Sequence, residues 1–303
     1  MNAIMKDRLF ESTLIYENTY RITNCFDSHE RMNTFSYLII GNERAMLIDT
    51  MFGYGNIREY CQKLTDKPVI LVCTHYHGDH TGGNFDFDEY YMHADDIPFM
   101  KSAFDRAMND TAAYRNMRLS QMKNAALDEF KEKVTANDFS MPHPICIWPI
   151  FDGDVFDLGK RLIEVVHVGG HTPGEIVLID AENKAAFTGD ACNSNTLLQL
   201  PGSLSVEEYK EFLVKLKGKQ SLFDHCYGGH EDFDSSIVDE GIELVDRVLS
   251  GTDDKEESLS FGRTCFYAAY HKESGTGRKD GKRFNMAYLP DNIWKKEKQG
   301  RIL

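Results

Sequence analysis

The sequence predicts a mixed α/β fold in which a sandwich of sheets is flanked by helices. Two observations lead there. Short apolar, β-branched runs bounded by turn residues recur in both halves of the chain, and amphipathic helical patterns lie between and after them. In order, strands are expected near residues 14–16, 20–23, 35–40 and 45–49, where β-branched and aromatic residues cluster. A helix over 56–64 returns the chain to a strand over 68–73, the apolar run Pro68-Val69-Ile70-Leu71-Val72-Cys73. In the second half, 161–168, 175–180 and 184–188 read as strands, and 205–216 and 235–249 as amphipathic helices. In the first of these helices Val206, Tyr209, Phe212, Leu213 and Leu216 recur at helical spacing.

Two segments stand apart. Residues 95–141 carry no strand signal, are helix-rich and contain many methionines. Met100, Phe104 and Met108 fall at i, i+4 and i+8, and Tyr114, Met117, Met122, Leu127 and Phe130 extend the apolar content. A helical pair is expected there, either packed on the core or forming a wall over a site, since Met adapts to varied apolar ligands. From about residue 251, 261–270 and 283–289 read as a strand pair around a Gly-rich, basic turn at 274–282. From Arg263 onward ten Lys or Arg stand against four Asp or Glu. That reads as a solvated basic face, or as recognition of an anionic substrate group. The expected organisation is one domain over 1–250, with an insertion at about 95–141, and a C-terminal extension over 251–303 packing on the same domain.

Of the 303 residues 42% are hydrophobic, enough for a sizeable core, and the formal net charge is -14. So acidic a chain is not expected to bind nucleic acid or anionic membrane non-specifically. The start, Met1-Asn2-Ala3-Ile4-Met5-Lys6-Asp7-Arg8, has no apolar core of a signal peptide. No apolar run approaches the roughly 20 residues that span a bilayer. The seven cysteines lack paired spacing. Together these features predict a cytoplasmic protein with reduced thiols. Cys192 and Cys226 are expected to be small buried residues.

The stretch Thr74-His75-Tyr76-His77-Gly78-Asp79-His80-Thr81-Gly82-Gly83-Asn84 carries the chemistry. Three imidazoles and a carboxylate fall within six consecutive positions, and all are metal-ligand types. His75 and His77, at i and i+2, point the same way in an extended segment. Asp79 and His80 follow the Gly78 bend and can turn toward a second ion. The cluster begins where the 68–73 strand ends, a usual place for chemistry in an α/β protein.

His-x-His-x-Asp-His followed by Thr-Gly-Gly-Asn resembles the metallo-β-lactamase fold superfamily, in particular its dinuclear metal hydrolases, glyoxalase II-like and lactonase-like proteins among them. Four further pieces follow the family's order. Asp49-Thr50 ends an early strand, and Gly170-His171-Thr172-Pro173-Gly174 forms a loop. Thr188-Gly189-Asp190 ends a later strand, and Gly228-Gly229-His230 closes the set. The resemblance covers roughly residues 12–250 and implies a four-layer αββα sandwich.

It also implies a site. His75, His77 and His171 would hold one ion, Asp79, His80 and His230 a second, and Asp190 would bridge them. Asp79 and Asp190 would be the carboxylates at the reacting centre. The implied cofactors are two divalent ions, zinc first, iron or manganese next, with ligand distances of about 2.0–2.2 Å for zinc. Two ions about 3.5–4 Å apart would share a water and lower its pKa to about 7, giving a bridging hydroxide. Asp49 is expected to orient a ligand rather than bind metal. His167 is a rival to His171, but only His171 precedes Thr172-Pro173-Gly174. His225 is a rival to His230, but only His230 follows Gly228-Gly229. His29, His93, His143 and His271 show no partner spacing; His271 alone is worth watching, because the tail could fold over a cleft.

Zinc β-lactamases are exported and lack a bridging aspartate, so the chain departs from them. After Asp190 come Ala191-Cys192-Asn193-Ser194-Asn195, where glyoxalase II-like thioesterases carry an aromatic and basic string and lactonases a tyrosine. The tRNA-processing branch needs a basic exosite, which the charge opposes. The resulting expectation is a metallo-hydrolase of an ester, thioester or lactone, with a phosphodiester as a further option and a small, apolar or acyl substrate as partner. The alternative is a redox member of the same fold, such as a non-haem iron persulfide dioxygenase.

Overall fold

The computed structural model of the chain describes residues 4–25, 33–125, 134–272 and 277–296. His29, Leu127, Phe130 and the start of the expected turn at 274–282 lie outside them, and of Met122 only the backbone is described. The Cα positions group into two compact units, residues 1–166 with 178–183, and residues 167–177 with 184–303.

The first unit is built on an eight-stranded sheet in sequence order. Its strands are β1 (Ile4–Lys6), β2 (Phe10–Tyr16), β3 (Thr19–Asn24), β4 (Ser36–Ile40), β5 (Ala45–Ile48), β6 (Val69–Val72), β7 (Glu89–His93) and β8 (Cys146–Ile150). The strands pair antiparallel up to β5, then parallel from β5 to β8. Every residue of β5 is buried, as expected for a central strand covered on both faces. Helix α1 (Ile57–Leu64) makes the crossover between β5 and β6. Asn56 caps it by accepting from Glu59 N at 2.9 Å, and it buries Ile57, Tyr60 and Cys61. These join Leu38, Leu47, Leu71, Tyr90 and Met92 in one core, each aliphatic side chain contributing about 1.5–3 kcal/mol by burial.

Between β6 and β8 come the short α2 (Gly78–Thr81), then α3 (Ile97–Asn109) and α4 (Thr111–Ala125), the expected helical pair. The unit also holds β9 (Val155–Asp157), its antiparallel partner β10 (Leu162–His167) as far as Val166, and the end of β11 (Ile176–Asp180). Strands β7 and β8 are not called by the sequence pattern. Pro149 within β8 argues against a strand unless it lies at a sheet edge, which is where β8 lies in the eight-stranded order.

In the second unit β12 (Ala185–Gly189) runs parallel to β14 (His225–Gly228), which pairs antiparallel with β15 (Asp232–Asp234). A four-stranded sheet has the order β13-β18-β17-β16, made of β13 (Thr196–Leu197), β16 (Glu256–Ser260), β17 (Arg263–Tyr267) and β18 (Met286–Tyr288). The expected C-terminal pair is β17 and β18, with Phe266 opposite Tyr288. Its partner β16 was not foreseen, because Glu-Glu-Ser-Leu-Ser lacks the apolar alternation of a strand. Helices α5 (Val206–Gly218) and α6 (Ile237–Ser250) pack together. Ser205 and Glu208 form a capping box at the start of α5, and Gly251, at φ 73°, ends α6. Among the described residues no helix is long and apolar enough to cross a membrane.

Candidate metal centre

In each unit, ligand-type residues follow the C-terminal ends of two adjacent parallel strands. In the first unit Ile48 of β5 lies opposite Val72 of β6, so both strands end at one level. The next residues, Asp49 and Cys73-Thr74-His75, therefore emerge side by side. Asp49 accepts three hydrogen bonds. Thr74 N donates to Oδ1 at 2.7 Å, Thr74 Oγ1 to Oδ2 at 2.7 Å, and His80 Nδ1 to Oδ2 at 2.8 Å. Because the Thr74 hydroxyl gives its proton to Asp49, its oxygen accepts from His75 Nδ1 at 3.0 Å. One carboxylate thus fixes the Nδ1–H tautomer of both His75 and His80, which leaves the ring lone pair of each on Nε2. Asp49 and Met51 hold φ of 60° and 52°, left-handed values that non-glycine residues rarely adopt.

The three rings are gathered. The centroid of His75 lies 4.9 Å from that of His77 and 4.1 Å from that of His80, and Asp79 Oδ2 is 4.0 Å from His80 Nε2. Backbone bonds clamp the segment. Thr50 N donates to His80 O at 2.7 Å and Gly82 N to Met51 O at 2.9 Å. Gly53 permits this approach, since a Cβ there would lie 2.1 Å from Gly82 O.

In the second unit Gly189 of β12 lies opposite Gly228 of β14 after a register shift, so Asp190 and Gly229-His230 leave the sheet together. Gly229 N donates to Gly189 O at 2.8 Å. The two oxygens of Asp190 face different rings, Oδ2 at 3.4 Å from His171 Nε2 and Oδ1 at 3.4 Å from His230 Nε2. His171 Nδ1 donates to Leu197 O at 2.9 Å, which again leaves the lone pair on Nε2. Asp190 is held at both ends. Its backbone N donates to the buried Glu175 Oε1 at 2.6 Å, and Asn193 Nδ2 donates to its Oδ1 at 3.3 Å.

All seven expected ligands fall into these two groups, His75, His77, Asp79 and His80 in the first and His171, Asp190 and His230 in the second. The donor set suits a borderline divalent ion: imidazole nitrogens oriented through Nδ1 contacts, with carboxylate oxygens beside them. His167 Nε2 donates to Pro173 O at 2.7 Å, its ring against Phe212, so it shapes the loop of His171. His225 packs on Tyr227, His143 Nε2 lies 2.9 Å from Phe85 O, and His271 Nδ1 lies 2.6 Å from Glu256. Cys192 and Cys226 are buried; burial pushes the Cys192 thiol up to about 12 and that of Cys226 well above its usual value. Both pack as small apolar residues. Glu175, Asn193 and the Leu197 carbonyl escaped the sequence reading. Glu175 and Leu197 meet partners 15 and 26 residues away, so nothing local marks them, and Asn193, three residues after Asp190, carries no motif of its own.

The helical pair meets the metal loop within the first unit. A cavity of about 610 Å³ is lined on one side by Tyr76, His77, Gly78 and Thr81, and on the other by α3 and α4. Phe99 stacks on Tyr76 with centroids 4.7 Å apart and planes 10° apart. Met100, Phe104 and Met117 line the apolar part, and Arg106 and Arg118 also face it. Met108 does not line the cavity and is 41% exposed, so the expected Met100-Phe104-Met108 face turns away at its last member.

The profile of the metallo-beta-lactamase superfamily matches residues 29–248. The chain is 28% identical over 221 residues to the acyl-coenzyme A thioesterase MBLAC2 of Bos taurus, a match covering 68% of this chain and 75% of that protein. To the Gallus gallus protein of that name it is 26% identical over 250 residues, 75% of this chain and 74% of the other. It is also 23% identical to an atrochrysone carboxyl ACP thioesterase of Claviceps purpurea, over 68% of this chain and 52% of that protein. Among solved structures, a metallo-beta-lactamase from Pontibacter korlensis superposes with a TM-score of 0.54 at 16% identity. That match covers 81% of this chain and 99% of the other, a likeness of fold.

Proposed function

The chain belongs to the metallo-beta-lactamase superfamily, and on that footing we propose that it hydrolyses acyl thioesters at a dinuclear metal centre. It is a metal-dependent hydrolase of the ester and thioester class; the thioesterase relatives favour this over the redox branch of the fold. The acyl thioester as substrate, zinc as the metal and the ligand assignment are the finer parts of the proposal.

His75, His77 and His171 would hold one ion and Asp79, His80 and His230 the other, with Asp190 shared. The division of the Asp190 oxygens between two imidazoles supports the shared role. When bound, two divalent ions supply Lewis acidity toward a carbonyl oxygen and a water ionised near neutral pH. The chain's own part is orientation. Asp49 sets the tautomers of His75 and His80, Leu197 that of His171, and Glu175 and Asn193 fix Asp190.

The cavity beside His77 carries the substrate reading. Its volume lies within the range of small-molecule sites, and its wall is mostly aromatic, thioether and small aliphatic, with Arg106 and Arg118 also facing it. An acyl chain would lie against Phe99, Met100, Phe104 and Met117, with water excluded from the side of the metal loop. Residues 251–303 are proposed to extend the same domain, since β18 pairs with β13 inside the second unit. The test is release of free thiol from acyl-coenzyme A substrates of graded chain length, abolished by chelation and restored by zinc, manganese or iron. Cleavage of lactones or aryl esters without thiol release would overturn the thioester assignment. Oxygen consumption with a persulfide and no hydrolysis would overturn the hydrolytic one.

A further inference from the structure

The superfamily match ends at residue 248, yet the loop that orients two of the proposed ligands is tied to chain beyond that point. The loop is 191–197. It supplies Asn193, which donates to Asp190 Oδ1, and the Leu197 carbonyl, which accepts from His171 Nδ1. Its last residues are β13, and β13 has β18 as its neighbour in the sheet, with Thr196 opposite Met286 and Leu197 opposite Ala287. Thr196 N donates to Asn285 O at 2.9 Å, Leu198 N to Ala287 O at 2.8 Å, and Asn285 N to Asn193 O at 3.4 Å.

Asn285 is the knot of this arrangement. It is fully buried, with none of its surface exposed. Its backbone holds the 191–197 loop while its side chain holds Ala269, two residues past the end of β17. Oδ1 accepts from Ala269 N at 3.2 Å and from Met286 N at 2.9 Å, and Nδ2 donates to Ala269 O at 3.0 Å. Asn193 is locked in turn: its Oδ1 accepts from Asn195 N at 2.7 Å, and its N donates to Thr196 Oγ1 at 3.2 Å. A buried amide bonded through both its oxygen and its nitrogen has one orientation, and it transmits that orientation to the backbone it caps.

We propose that Asn285 is a positioning residue for the metal centre, acting through Asn193 on Asp190 and through β13 on His171. On this proposal the C-terminal sheet is part of the metal-binding apparatus. It rests on the dinuclear reading above, because Asp190 and His171 are placed there as ligands. Outer contacts of this kind typically change metal affinity by about 10- to 100-fold when removed.

The experiment uses the full chain stripped of metal and compares Asn193→Ala, Asn285→Ala and the double variant with the parent. Zinc affinity is measured by competition with a chromophoric chelator, and the cobalt(II) form is followed by its visible absorption. Each single variant is expected to bind zinc at least about 10-fold more weakly with an altered cobalt spectrum. The double variant should lose less than the sum of the two singles, because the route to Asp190 through Asn193 is common to both substitutions while the route through β13 to His171 is not. Unchanged affinity and spectrum beside a lowered unfolding temperature would make Asn285 merely structural and overturn the proposal. Additive losses in the double variant would overturn the shared path. If Asn285→Ala does not fold, the affinity of Asn193→Ala together with that of Asn285→Asp, which keeps the oxygen acceptor, decides. Parent protein that takes up no zinc would instead refute the dinuclear reading itself.

Discussion

At the scale of single residues, Asp49 does more than its sequence context suggests. Its carboxylate reaches His80 directly and His75 through the Thr74 hydroxyl, so its loss would release two rings at once. Asp49→Ala should lower metal affinity by about 10- to 100-fold in chelator competition. Asp190→Ala should cost at least one of two bound equivalents by elemental analysis; full retention of both ions would show that Asp190 is not shared. Asp86 has a different consequence. It accepts from Ile57 N at 2.8 Å and from Ser140, but burial pushes its carboxyl up to about 6. Unfolded, it would ionise near 3.9. Between about pH 4 and 6 the folded chain keeps a proton that the unfolded chain has released, so this group's contribution to stability falls as pH rises through that window. Asp86→Asn should flatten the dependence, read as urea midpoints at about pH 4 and about pH 7. Parallel curves for parent and variant would reject the assignment.

At the scale of elements, α3 serves two purposes that its sequence pattern does not separate. Met100 is 5% exposed and belongs to the core, whereas Phe99 is 38% exposed and stacks on Tyr76 of the metal loop. Met100→Ala should therefore cost about 2–5 kcal/mol in denaturant unfolding. Phe99→Ala should leave stability within about 1 kcal/mol while raising KM for long acyl chains more than for short ones. Met108→Ala, outside the cavity, should change neither. Equal loss of stability from Phe99→Ala and Met100→Ala would mean that the helix is packing alone. The helical pair itself was legible from composition. Which of its apolar residues meet the core and which meet the cavity was not, because one helical stripe serves both.

At the scale of the whole molecule, residues 178–183 group with the first unit, and a buried ion pair joins them to Arg161. Arg161 Nη2 lies 2.6 Å from Asp180 Oδ2, and the same guanidinium donates to Thr19 Oγ1 and to the Asn18 and Ile40 carbonyls. Asp180→Ala strands that charge and should destabilise the chain by about 3–5 kcal/mol. The double variant Arg161→Met with Asp180→Leu should be less damaging than Asp180→Ala, as measured by chemical unfolding; the reverse order would show that the pair itself holds the unit together. Metal should act on the molecule as a ligand of the folded state. Saturation at 100 times Kd adds about 2.7 kcal/mol, so chelation should lower the unfolding temperature and abolish activity together.

The sequence by itself determined the metal-binding residue types, their i and i+2 spacing, the strand that delivers His75, and the superfamily. The first three are local, written in side-chain chemistry and a two-residue period, and the last rests on five short motifs in a fixed order. The tertiary structure alone decided that Asp49 meets Thr74, because the register of β5 on β6 sets it, and that Asp190 meets His230, because a register shift between β12 and β14 sets that. It alone disclosed Glu175 and Asn285, and the cavity wall of Tyr76 and Phe99. Hydrogen bonds between residues far apart in the chain leave no periodicity in either segment, so such partners become visible only when the strands that carry them are laid side by side.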